Sequence, residues 1–241
     1  MNGIVAFTVG QSRGHLATAM SSLQSVTSGT VDDVAHLLRM TASDLRHVGG
    51  EIHALPHNTP MRDFGTANAI YTRLDDTAKL LTSTADDLPG TAKELSTVID
   101  AASAGIRASE HRLGVIAGKP LGLAQARELV DGASAQASAA VDLGGGHAME
   151  ASRLLRASAS DLELASSTIS TLPHNAALQD AGVAYGVVNR LEDAAASFRT
   201  AAGELPESST GRFNAIGGGR DNVGAARHDL GVLEHGLFGP Q

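Results

Sequence analysis

Cysteine and tryptophan are both missing from this 241-residue chain, and aromatic residues make up only 3% of it. Without cysteine there is no disulfide framework, no thiolate nucleophile and no zinc–thiolate site. With so few rings, the core has to be built from Leu, Ile, Val and a great deal of Ala. Small side chains suit closely approaching helices, and Ala is the best helix former. A deep ligand pocket normally carries more rings, so the composition speaks against an enzyme. Lysine is scarce too: Lys79, Lys93 and Lys119 stand against fifteen arginines, and the net charge is −8. No Lys/Arg cluster has the density of a nucleic-acid footprint, and no nucleic-acid partner is expected. No apolar run approaches the ~18 residues of a membrane span. The apolar stretch Ile4-Val5-Ala6-Phe7 is short and no cation precedes it, which is a poor signal peptide. The protein is expected in the cytoplasm, or exported without a cleavable signal.

What the chain does have is a repeat. Leu55-Pro56-His57-Asn58 returns as Leu172-Pro173-His174-Asn175, an offset of 117 residues. The same offset aligns Ala42-Ser43-Asp44-Leu45 with Ala159-Ser160-Asp161-Leu162, and Arg73-Leu74 with Arg190-Leu191. Between 37 and 58, 12 of 22 positions are identical to their partners. The expectation is an all-α protein made by tandem duplication of a helical-hairpin or four-helix up-down unit. Its units would be 1–117 and 118–241, joined at Gly118-Lys119-Pro120-Leu121-Gly122.

Hydrophobic spacing places the helices. Residues 1–10 look strand-like without a partner strand, and read as an arm. Helix A then covers about 12–27. Thr30 is a suitable N-cap for a helix over about 31–54, with Asp32 and Asp33 in a first turn that favours carboxylates. Val34, Leu38, Thr41, Leu45, Val48, Ile52 and Leu55 follow at 4-3-4-3-4-3 spacing, a heptad seam. The second seam is Ala151, Leu155, Ser158, Leu162, Ala165, Ile169 and Leu172. Pro56 ends the first seam's helix. Asn58 or Thr59 caps the next, over about 60–87, so the two make an antiparallel hairpin. A fourth helix runs over about 91–115. Whether it folds back or continues its predecessor across Pro89 stays open, because the heptad phase runs through the proline. In the second half, helices are expected at about 123–142, 147–171 and 176–203. Gly217-Gly218-Gly219 should break the last one, leaving a shorter helix at 220–235.

Ten histidines raise the question of a metal. Glu51, His53 and His57 are close in sequence, but Pro56 breaks the helix that would align them, and their partners Thr168 and Ser170 are not equivalent ligands. No metal and no cofactor is expected. His57/His174 and His111/His228 occur in both halves and fit capping or solvated roles. Gly217–Gly219 followed by Arg220 could cradle an anion, but the first half has no such glycines. Asp44/Asp161 are candidates for a cross-helix pair with Arg73/Arg190.

The stretch Phe64-Gly65-Thr66-Ala67-Asn68-Ala69-Ile70-Tyr71-Thr72-Arg73-Leu74 resembles the WXG family of type VII secretion substrates, over roughly 31–88 and 148–205. The Trp-x-Gly of that family is itself absent, and Phe64-Gly65 and Ala181-Gly182 do not restore its spacing. Tyr71 to Asp75 has the spelling of the family's Tyr-x-x-x-Asp/Glu export signal. The resemblance implies signal-less helical hairpins that pair into four-helix bundles, here as a fused pair. The expected function is a non-catalytic protein–protein interaction module, binding protein partners or itself through its helical seams and linked to type VII secretion. Candidate interaction or structural residues are His57, Asn58, Asp63, Phe64, Gly65, Tyr71 and Arg73, and in the second half His174, Asn175, Asp180, Gly182 and Arg190. The alternatives are a scaffold subunit of a larger bacterial or phage assembly and, less favoured, an enzyme with an inter-bundle site at His57, His111 and Asp63.

Overall fold

A computed structural model describes residues 3–26, 29–55, 61–143, 147–171, 178–203 and 209–238. They form eight α-helices: α1 (Gly3–Ser25), α2 (Val31–His53), α3 (Met61–Asp86), α4 (Ala92–Ile116), α5 (Leu123–Asp142), α6 (Ala148–Thr171), α7 (Leu178–Gly203) and α8 (Ser209–Phe238). No strand occurs among the described residues. The chain divides into two compact units, Met1–Pro120 and Leu121–Gln241.

In unit 1, α1 packs on α2, α2 on α3, α3 on α4, and α4 back on α1. Each helix therefore buries a stripe between two neighbours, in an up-down four-helix bundle. The heptad seam explains α2. Val34, Leu38, Thr41, Leu45, Val48 and Ile52 are all buried. The five apolar ones belong to the same core as Leu16 and Leu23 of α1, Leu74 and Leu81 of α3, and Ile106 and Leu113 of α4. Burying one such Leu contributes about 1.5–3 kcal/mol. The question left open at Pro89 is settled here: α4 folds back along α3.

Helix ends follow local chemistry. Thr30 N-caps α2 in a capping box with Asp33, and Thr91 does the same for α4 with Glu94. The amide of Lys119 donates to the carbonyl of Gly114, and that of Gly118 to Val115, each at 2.9 Å. Gly118 sits at φ 77°, so α4 closes in a Schellman motif that a side chain at 118 would strain.

Unit 2 repeats the ring, α5 on α6, α6 on α7, α7 on α8, and α8 on α5. Helices α2, α3 and α4 begin at 31, 61 and 92, and α6, α7 and α8 at 148, 178 and 209, each 117 residues later. The second seam is buried from Ala151 to Ile169.

Two expectations are corrected. The supposed arm is helical from Gly3, because Val9 and Ser12 are buried in the bundle and tertiary burial overrides the strand propensity of Ile4-Val5. Helix α8 runs unbroken through Gly217–Gly219. Gly219 is buried, and a Cβ there would lie 2.5 Å from the Phe198 ring of α7. The glycine lets ring and backbone meet, and that packing compensates for weak helix propensity.

Candidate functional site

Both seams face the interior of their own unit. The seam residues are therefore not exposed for contact with a partner. His57, Asn58, His174 and Asn175 lie outside the described residues, as do the side chains of Asp63, Phe64 and Asp180. Gly65 and Gly182 are exposed on α3 and α7. Tyr71 is half-buried on α3, its ring 4.7 Å from that of His53 and against the backbone of Gly49. Arg73 is buried where α3 meets α4, its Cδ 3.7 Å from where a Cβ of Gly105 would stand.

In unit 2 the expected Asp161–Arg190 partners have other contacts. Arg190 pairs with Asp229 on α8. Asp161, fully buried on α6, accepts from Gln136 of α5 at 3.4 Å. Asp44 is half-buried on α2. The reason is orientation: Asp161 points toward α5, whereas Arg190 reaches the neighbour on its other side, α8. His111 is half-buried on α4, and His228 is exposed with its Nδ1 3.2 Å from Asp229.

Cross-helix contacts recur at equivalent positions with changed chemistry. Arg46 donates to Thr82 at 3.0 Å between α2 and α3, and 117 residues on, Glu163 pairs with Arg199. The carbonyl of Ala85 accepts from Arg39 at 3.1 Å. Its equivalent, that of Ala202, accepts instead from Ser152 at 2.9 Å, a residue whose counterpart in unit 1 is Ala35.

The same comparison shows outer-surface differences in both directions, for Val31 and Met40 of unit 1 are exposed where unit 2 has Ala148 and Ala157. Met149, Tyr185 and Phe213 of unit 2 are 64%, 69% and 69% exposed. At the equivalent positions unit 1 carries Asp32, Asn68 and Ser96, also exposed. The bundle thus forms with polar residues at these places, and apolar ones there serve no fold requirement. Tyr185 and Phe213 lie on α7 and α8 toward opposite ends of the hairpin these helices form, in which Arg190 meets Asp229 and Phe198 meets Gly219.

One cluster of potential ligands is present among the described residues, and it is not the one Glu51, His53 and His57 suggest. Glu51 of α2 faces His47 one turn earlier, with Nε2 to Oε1 3.4 Å, and His15 of α1, with Nδ1 to Oε2 3.8 Å. The buried Ser12 hydroxyl donates to Glu51 Oε2 at 3.5 Å. The His15 and His47 rings are 5.8 Å apart, and one ligand atom from each of the three residues falls within 4.8 Å of the others. The i,i+4 spacing of His47 and Glu51 is legible in the sequence. His15 is not, since it arrives from another helix.

A scan against protein-family models finds no match, and searches of curated proteins and of solved structures find none either.

Proposed function

We propose that the chain is a non-catalytic helical interaction module that docks through exposed apolar residues of unit 2. The observation that carries this is the exposure of Met149, Tyr185 and Phe213 where unit 1 has Asp32, Asn68 and Ser96. Exposed aromatic anchors are the side chains that dominate protein interfaces. No described helix is long and apolar enough to cross a membrane, so a bilayer-spanning use of these residues does not arise from them. We also read the two units as copies of one bundle, on the strength of the matched identities and helix starts. A place in type VII secretion is the finer form of the proposal. It is supported by the resemblance of α2–α3 and α6–α7 to WXG hairpins.

The test is site-specific photocrosslinking in the producing cell. A photoreactive residue at Tyr185 or Phe213 should yield discrete protein adducts, and the same residue at Asn68 or Ser96 should not. Adducts of twice the chain mass identify self-association, and adducts with secretion components support the finer form. Equal labelling at all four positions refutes the reading.

A further inference from the structure

We propose that His15, His47 and Glu51 form a binding site for a divalent first-row transition ion, with zinc as its reference occupant, clipping α1 to α2. The donor set is two imidazole nitrogens and a carboxylate, which suits zinc and its neighbours rather than magnesium or calcium. Three protein ligands leave a fourth position to water. Zinc–nitrogen bonds of about 2.0–2.1 Å imply ligand separations of about 3.3–3.4 Å around a tetrahedral ion. The His47–Glu51 separation is 3.4 Å to Oε1 and the His15–Glu51 separation 3.8 Å to Oε2, and one donor atom from each of the three residues lies within 4.8 Å of the others. Closure on one ion asks His15 and His47, whose side chains are 45% and 67% exposed, to swing inward.

Two features make this more than a chance meeting of polar side chains. His47 and Glu51 stand one turn apart on a rigid helix, a spacing that presents both donors to one point. Behind them, the fully buried Ser12 donates to Glu51, the kind of outer contact that orients a ligating carboxylate. Unit 2 provides an internal control. Its equivalent positions hold Gly132, Leu164 and Thr168, with Leu129 in place of Ser12, so the chain should bind one ion, in unit 1.

The experiment is a competition titration of the full, metal-free chain with zinc against a chromophoric chelator, at neutral pH. One equivalent should bind, and His15→Ala and His47→Ala should each remove saturable binding at the same concentrations. His228→Ala, a change at an exposed histidine elsewhere, should leave it intact. Both ligand histidines are on the surface, so the variants keep the core, which far-UV circular dichroism verifies. Binding should weaken as the pH falls through the imidazole range, since the ion competes with protons. Cobalt in place of zinc should show the visible absorption of a tetrahedral centre, absent from His15→Ala. Equal zinc affinity and stoichiometry in wild type and His15→Ala would overturn the proposal. So would a wild-type chain that does not withdraw zinc from the chelator.

Discussion

Replacing Gly219 with alanine puts a methyl group into the Phe198 ring, 2.5 Å from Cε1 and 2.8 Å from Cδ1. Phe198 has no exposed surface into which to retreat. Ring or helix has to shift by roughly 1 Å, and overpacking of this kind costs about 1–3 kcal/mol. Against it stands the better helix propensity of Ala, about 0.8–1.0 kcal/mol. Gly217 and Gly218, in the same helix, have nothing within 4 Å of a built Cβ and no positive φ. Alanine at either should therefore stabilise by roughly 0.5–1 kcal/mol. The propensity gain is common to all three, so the gap between Gly219→Ala and Gly218→Ala isolates the clash, about 1–3 kcal/mol.

The equivalent pair in unit 1 is Leu81 and Ala102, both fully buried, a smaller side chain facing a larger one. Phe198→Leu combined with Gly219→Ala recreates that pair and should recover stability relative to the two single changes. The coupling energy should be at least about 1 kcal/mol in a double-mutant cycle. The assay is urea unfolding of the full chain by far-UV circular dichroism. Tyrosine fluorescence in Tyr185→Phe and Tyr71→Phe backgrounds, which leave one tyrosine in unit 1 or in unit 2, assigns each transition to its unit. If Gly219→Ala stabilises as much as Gly218→Ala does, the packing argument for this helix is wrong.

A Cβ on Gly105 would meet Thr77 Oγ1 at 2.5 Å, so Gly105→Ala should lower the urea midpoint of unit 1. Thr77→Ala should rescue it, because the equivalent pair in unit 2 is Ala194 and Asn222. The hydrogen bonds from the Thr30 side chain and then its backbone hold the Asp33 carboxyl below its usual range. An aspartate depressed in the folded state adds stability above its unfolded pKa, and that stability is lost as pH falls through the folded value. Thr30→Ala should raise the Asp33 midpoint in an NMR titration and shrink the acid-range loss of stability. An unchanged midpoint would remove the capping box as its cause.

The surface difference between the units was not visible before the fold was known. Tyr185 and Phe213 are ring-bearing residues of α7 and α8, and only burial marks them as outer-facing. The same holds for His15, since its meeting with His47 and Glu51 depends on which faces of α1 and α2 come together. His53 was the more obvious histidine beside Glu51, yet it turns to Tyr71 on α3.

From the residues alone came the helical class, the seams at 34–52 and 151–169, the Thr30 cap and the ends near His53 and Asp86. Each rests on neighbours within a turn or two, where heptad spacing and capping hydrogen bonds act locally. Three things were left to the tertiary structure: the helical start at Gly3, the return of α4 along α3, and the unbroken course of α8. In each, a residue weak in local preference is held by burial against another helix: Val9 in the core, Gly105 under Thr77, Gly219 under Phe198. Side chains distant in sequence supply that energy, and no local window contains both partners.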